Sequence, residues 1–151
     1  SQAVHIALAV KKVMDQLNLQ TFPKVSGATG IHIYLPVQPI YTYKDTSSFV
    51  QKIGRVIINV MPDLATNERA VKNRPGKVYI DHLQNLQGKT IASVYSIRPF
   101  PGAPVSAPVS WEELKYIKPK EFTRDKVISR LKEKGDLFAP LLTLQQVLPE
   151  I

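Results

Sequence analysis

Residues 26–36, Ser26-Gly-Ala-Thr-Gly-Ile-His-Ile-Tyr-Leu-Pro36, hold the pattern around which the rest of the chain is organised. After the second glycine, apolar residues alternate with His32 and Tyr34, and the side chains of a β-strand point alternately to its two faces. The segment therefore predicts a half-buried strand with an apolar back. It also places one ionisable group, His32, on the open face, directly after a loop that contains two glycines.

A second stretch has the same design. In residues 74–85, Arg74-Pro-Gly-Lys-Val-Tyr-Ile-Asp-His-Leu-Gln-Asn85, Val78 and Ile80 alternate with Tyr79 and Asp81. This alternation predicts another half-buried strand, again after a loop that contains glycine and again with one ionisable group on its open face. Paired strands of this kind often form a site for a charged small molecule.

The remaining elements follow from apolar periodicity and from capping residues such as Ser110 and Thr123. Together they predict an α/β fold of the α+β type, with a mixed or mostly antiparallel sheet backed by helices, in a single domain over residues 1–151. The expected elements are helices over 3–17, 46–60 and 124–134, a third strand over 90–98 that ends in Arg98, an extended proline-rich segment over 99–109, and a last helical segment over 136–148.

Composition limits the possible partners and chemistry. The chain has 151 residues, no cysteine, and a formal net charge of +8 from 20 lysine and arginine residues against 12 aspartate and glutamate residues. The charge indicates an anionic partner, for which nucleic acid is the commonest choice, although it also suits plain solubility. The lack of cysteine excludes disulfides and thiolate zinc sites. No apolar run approaches the roughly 20 residues that a membrane helix needs.

Several motifs occur together and in order. They are Ser-Gly-x-x-Gly-x-His at 26–32, Arg-x-Gly-x-Val-x-x-Asp-x-x-Gln-Asn at 74–85, Tyr-Ser-x-Arg at 95–98, and Pro-Gly-Ala-Pro-Val-Ser-x-Pro at 101–108. In this combination the chain resembles the polymerase domain of bacterial ligase D, a member of the archaeo-eukaryotic primase superfamily. The resemblance runs from the first predicted helix to about Thr123.

This resemblance implies an activity and its partners. The expected activity is nucleotidyl transfer of the primase–polymerase type at DNA ends, in non-homologous end-joining repair. Nucleoside triphosphates would be the substrates, Mn²⁺ or Mg²⁺ the cofactor, and Ku and an attached ligase domain the protein partners. The expected location is the cytoplasm, in association with the nucleoid, with no membrane partner.

The resemblance also assigns residues. Ser26, His32, Arg74 and Arg98 would hold the incoming nucleotide and its phosphates, and His32 and Asp81 are the catalytic candidates. Asp81 would also be a metal ligand, since Mg²⁺ and Mn²⁺ prefer oxygen ligands. Thr29 stands where the family has a lysine; its hydroxyl can form a hydrogen bond to phosphate but carries no charge.

The family's Asp-x-Asp pair, which supplies two further metal-binding carboxylates, is expected just before residue 1. The chain is therefore interpreted as the C-terminal portion of such a domain, and as given it is expected to lack polymerase activity. Two alternatives stay open at this point. One is a non-catalytic module that binds nucleic acid or nucleotide, and the other is a phosphate-binding metabolic enzyme in which His32 and Asp81 act as acid and base.

Overall fold

The computed structural model describes residues 1–118 and 121–151, and its contacts divide the chain into two compact units. The first unit comprises residues 1–19, 37–91 and 146–151, and the second comprises residues 20–36 and 92–145. In chain order the regular elements are helix α1 (Gln2–Gln16), strands β1 (Phe22–Val25) and β2 (Ile31–Tyr34), helix α2 (Tyr43–Val60), strands β3 (Ala65–Thr66) and β4 (Val78–Tyr79), and helix α3 (Arg124–Lys134). The mixed α/β class predicted from the sequence is confirmed.

Two helices dominate the first unit. The helices predicted over 3–17 and 46–60 are α1 and α2. Helix α2 begins earlier than predicted because Thr42 caps it, with its side chain accepting the Asp45 N–H while the Asp45 carboxylate accepts the Thr42 N–H. This reciprocal arrangement satisfies two backbone donors that a helix start otherwise leaves without partners.

The core of the first unit forms where α1 and α2 meet the short strands. Ile6, Ile57 and Ala65 are buried at its centre, and Val78 and Ile80 pack against them. Strands β3 and β4 pair in parallel in this core. The apolar back predicted for the 74–85 stretch is therefore present.

The 74–85 stretch is only partly a strand. Its ladder covers β4 alone, and the chain then enters a short 3₁₀ turn at Leu83–Asn85. The cause is local: the Asp81 carboxylate accepts the N–H of Leu83 at 2.9 Å, a side-chain hydrogen bond that favours a turn over continued pairing.

The second unit is built on an antiparallel hairpin. Strand β1 pairs with β2 so that Lys24 lies opposite His32, and the connecting loop is Ser26–Gly30. The sequence analysis predicted β2 but not β1. Part of the remaining core comes from the segment 104–109, which is buried along its whole length. This segment runs beside β1 through hydrogen bonds from Val25 N to Ala107 O and from Val109 N to Pro23 O.

The strand predicted over 90–98 is wrong. Tyr95 has a φ of 66°, in the left-handed region that an extended strand cannot include, and a turn forms at residues 94–95. What remains is a single bridge between Ile97 and Val105. The last helical segment, predicted over 136–148, is likewise reduced to a 3₁₀ turn at Ala139–Leu142.

In the C-terminal part of the second unit, the predicted capping residues lie at the ends of the regular elements. Thr123 accepts the Lys126 N–H at the start of α3, and Gly135, with a φ of 71°, follows its end. Ser110 and Glu113 form the predicted capping box, but it closes a 3₁₀ turn at Glu113–Lys115 rather than a full helix. No helix in residues 1–118 or 121–151 is both long and apolar enough to cross a membrane.

Glu113 is the centre of an ion-pair cluster. Its carboxylate accepts two hydrogen bonds from Arg130, at 2.7 and 2.9 Å, and one from Lys134 at 2.6 Å. The Arg130 guanidinium also lies over the Phe122 ring, 5.2 Å from its centroid. The hydrogen bonds from Arg130 lower the pKa of Glu113 most, and those from Lys134 and the Ser110 N–H add to the effect.

Replacement of Glu113 by glutamine should therefore lower the free energy of unfolding at pH 7 by about 2 kcal/mol, because Arg130 loses a charged, half-buried partner. Since the carboxyl pKa is lower in the folded chain than in the unfolded chain, the contribution is complete above the unfolded value of about 4.3 and is lost as the pH falls below it. Denaturant titrations of both proteins at pH 7 and pH 3 measure this difference. Asp125→Asn is the matched control, because the Arg124–Asp125 pair is largely exposed; an equal loss in both variants at pH 7 would contradict the assignment.

Candidate functional site

The Ser26–Gly30 loop is closed by its own serine. The Ser26 hydroxyl oxygen accepts the N–H groups of Ala28 and Gly30, each at 3.1 Å, and the Ser26 N–H donates to the Gly30 carbonyl at 3.0 Å. A hydroxyl has two acceptor positions and one donor hydrogen. Both acceptor positions are occupied here, so Ser26 can approach a ligand only as a donor, which suits an anion.

Arg98 reaches this loop over Gly27. A Cβ atom at Gly27 would lie 2.5 Å from Arg98 Cγ and 3.2 Å from the backbone nitrogen of Ser106, and Gly27 has a φ of 74°. Only glycine satisfies both the conformation and the close approach. The structure therefore brings together Ser26 and Arg98, which the sequence analysis placed in one site although they lie far apart in the chain.

The other two predicted residues of this unit are Thr29 and His32. Thr29 is exposed at the tip of the loop, and His32 is half-buried on β2. The face that carries His32 is less open than predicted, because the ring of Tyr34 packs against Phe138 with 5.2 Å between ring centroids. Burial raises the pKa of Tyr34, so its hydroxyl stays neutral.

Sequence reasoning missed the most buried polar group of this region. Lys24 is fully buried, and its ammonium donates to the carbonyl of Ala92 and to the hydroxyl of Ser106, which in turn donates to the carbonyl of Val25. Burial, and secondarily the charge of Arg98, lowers the pKa of Lys24 to about 8. The available signal was its place in the sequence: it lies two residues before Ser26.

Arg74 and Asp81 belong to the first unit. The Arg74 guanidinium lies over the Tyr79 ring, 5.3 Å from its centroid. Its Nε is buried and has no hydrogen-bond partner in the portion of the chain that the structure describes. A buried guanidinium donor without a partner is costly, and an oxyanion would satisfy it.

Asp81 is exposed beyond the end of β4, with one carboxylate oxygen accepting the Leu83 N–H. Burial raises the pKa of Tyr79, and the nearby Asp81 carboxylate adds to the effect. On either side of Arg74, the basic side chains of Arg69, Lys72 and Lys77 are exposed. Lys77 is held by the Pro62 carbonyl at 2.7 Å.

Within residues 1–118 and 121–151, no three histidine or carboxylate side chains lie close enough together to hold a metal ion. Asp81 offers one carboxylate, whereas a Mg²⁺ or Mn²⁺ site in nucleotidyl transfer needs several oxygen ligands. The residues at hand therefore do not fit a complete metal centre.

Comparisons with known proteins show which family the chain is similar to. Residues 1–138 match the family model described as LigD, primase-polymerase domain. The bifunctional non-homologous end joining protein LigD of Bacillus subtilis is 41% identical over 135 residues, which are 88% of this chain and 22% of that protein. The multifunctional non-homologous end joining protein LigD of Mycolicibacterium smegmatis is 34% identical over 141 residues, which are 93% of this chain and 18% of that protein.

A solved structure shows the same likeness. The polymerase domain from Mycobacterium tuberculosis ligase D, determined in complex with DNA, matches with a TM-score of 0.86 and 30% sequence identity. The match covers 93% of this chain and 49% of that domain, so the chain spans about half of the solved domain and about a fifth of the two LigD proteins above. By the extent of these matches, the chain belongs to the LigD primase-polymerase domain family.

Proposed function

We propose that this chain supplies the nucleotide-binding part of a polymerase that acts at DNA ends in non-homologous end joining. The observation that carries the proposal is the contact of Arg98 with Gly27, which joins a cation to a loop whose serine can only donate. This combination suits a polyphosphate, because a cationic side chain packs on a short loop that also offers a hydroxyl donor. The family match and the DNA complex of the M. tuberculosis domain support the choice of substrate class.

Within the second unit, Ser26, His32 and Arg98 would contact the phosphates. Thr29, at the exposed tip, would add a neutral hydrogen bond in place of the family's lysine. His32 would donate a hydrogen bond to the phosphate from a ring N–H. Arg98 would add the fixed charge.

Within the first unit, Arg74 would use its free Nε donor on an oxyanion, and Asp81 would provide one carboxylate of a divalent-metal site. The family uses Mn²⁺ or Mg²⁺, whose chemistry is to activate the attacking hydroxyl and to neutralise charge on the triphosphate. Because the described residues do not complete that site, catalysis would require carboxylates from a preceding Asp-x-Asp segment. Ku and a ligase domain would be partners in the full repair protein, in the cytoplasm at the nucleoid.

Replacement of Gly27 by alanine should weaken the binding of a nucleoside triphosphate by about tenfold or more, because the new Cβ displaces Arg98 from the loop. Calorimetric titration of ATP into both proteins measures the effect. Gly88→Ala is the matched control, since Gly88 has a similar φ of 76° but nothing within 4 Å of the added atom. Equal affinity in wild type and Gly27→Ala would refute the loop as the phosphate site.

Replacement of Asp81 by asparagine should abolish extension of a primed DNA end in the presence of Mn²⁺, because a neutral amide is a poor ligand for a hard cation. The assay needs a polypeptide in which this chain is preceded by the family's Asp-x-Asp segment. Asp63→Asn is the control, because Asp63 is an exposed aspartate on the turn after α2.

Three outcomes are distinguishable. Loss of extension in Asp81→Asn alone supports the metal role. Equal extension by all three proteins removes Asp81 from the mechanism. The absence of extension in all three, with nucleic-acid binding retained, would favour a non-catalytic binding module.

A further inference from the structure

Lys24, two residues before the Ser26–Gly30 loop, has no counter-charge. It is fully buried on β1, and its partners are neutral: the Ala92 carbonyl, the Ser106 hydroxyl at 2.8 Å, and the face of the Tyr34 ring with 5.6 Å between Nζ and the centroid. In the described part of the chain, no carboxylate lies within ion-pair distance of Lys24. A buried cation with only neutral partners is rare, because its desolvation is poorly offset.

Arg98 adds a second positive charge to the same region. Its side chain lies over Gly27, it too has no carboxylate within ion-pair distance in the described residues, and its charge acts on Lys24. Two uncompensated cations that flank one loop produce a local positive potential. An anion bound at the loop would offset both charges.

We propose that Lys24 is a positioning residue for the triphosphate subsite: it supplies a buried positive charge next to the Ser26–Gly30 loop and joins the strand that leads into that loop to residues 92 and 106. This inference rests on the proposed function. It adds a residue that the motif comparison did not assign, and it gives that residue an electrostatic role from inside the fold rather than a direct contact with the nucleotide.

The geometry explains why this charge can act at the loop. Lys24 and Ser26 are two residues apart on one strand and its turn, and the Lys24–Ser106–Val25 chain of hydrogen bonds ends at the residue before Ser26. Ser106 also lies close to Gly27, since a Cβ added at Gly27 would be 3.2 Å from the Ser106 backbone nitrogen. The interior has a lower dielectric constant than water, so a charge held there is screened less than a surface lysine.

Protonation of Lys24 should therefore be coupled to phosphate binding. The titratable groups on the elements packed around it are His32 and Tyr34 on β2 and Tyr95 on the 92–98 segment, besides Arg98; the 104–109 segment has none. Burial raises the pKa of both tyrosines. Between pH 8 and 9.5 Lys24 is then the group of this cluster that changes charge, since its pKa is about 8.

The test is calorimetric binding of ATP, without divalent metal, to the wild-type chain and to Lys24→Met and Lys24→Arg variants from pH 7 to pH 9.5. At pH 7, Lys24→Met should bind about tenfold more weakly, while Lys24→Arg should stay within a few fold of wild type. Wild-type affinity should fall above pH 8 towards that of Lys24→Met, because the free protein loses the charge. Neither variant should show that decline.

If Lys24 has only a structural role, different binding results are expected. Lys24→Met would then lose thermal stability, and its affinity deficit would be the same at every pH, with no wild-type inflection near pH 8. That result overturns the proposal. If the methionine variant fails to fold by circular dichroism, the wild-type profile still decides: proton uptake on ATP binding at pH 8.5 supports the proposal, and its absence overturns it.

The experiment separates this inference from the function on which it rests. Wild-type protein that binds ATP with no dependence on Lys24 or on pH refutes the role of Lys24 alone. Wild-type protein that binds no ATP at pH 7 refutes the nucleotide-binding function, and the role of Lys24 with it.

Discussion

The buried ammonium of Lys24 is the interaction on which the second unit depends. It joins β1 to the carbonyl of Ala92 and to Ser106, and so connects the hairpin to two later segments of the chain. Since these acceptors are neutral, the arrangement satisfies the hydrogen bonds of the lysine but not its charge. The loop above it is held by Ser26, whose hydroxyl accepts two of the loop's own amides. We propose that this buried positive charge, close to a loop whose serine can only donate, favours the binding of an anion.

Part of this could be predicted from the sequence. The periodicity of α1 and α2 and the caps at Thr123 and Gly135 are local signals, and the helices form where they indicate. The Ser26–Gly30 loop was also predicted, because its glycines and the alternation after them are local.

The elements that were predicted wrongly or missed have physical explanations. Strand β1 was missed because Pro23 and Lys24 interrupt its apolar pattern, and a lysine is seldom a core residue. The strand predicted over 90–98 does not form, because the left-handed conformation of Tyr95 is set by contacts that sequence alternation does not report: its N–H donates to Ser106 O and its hydroxyl donates to Asp136. The approach of Arg98 to Gly27 depends on the tertiary fold, and only the motif resemblance placed them in one site.

Membership in the LigD primase-polymerase family relates these local features to a single proposed function, the binding of a nucleotide. The chain accounts for about half of the solved polymerase domain, and it carries phosphate-binding candidates in both of its units. Ser26, His32 and Arg98 lie in one unit, while Arg74 and Asp81 lie in the other. On this account, nucleotide recognition is largely encoded in these residues, whereas the metal chemistry depends on carboxylates that they do not include.

The most direct test of the account is an ¹⁵N NMR titration of the chain with inorganic tripolyphosphate. This probe has neither base nor sugar, so any binding must be to the phosphates. The account predicts that the largest amide shifts fall on residues 26–32 and on the backbone around Arg98, and that they saturate together with one dissociation constant. Shifts confined to the exposed basic loop around Arg69 and Lys72, with the Ser26–Gly30 amides unmoved, would contradict it.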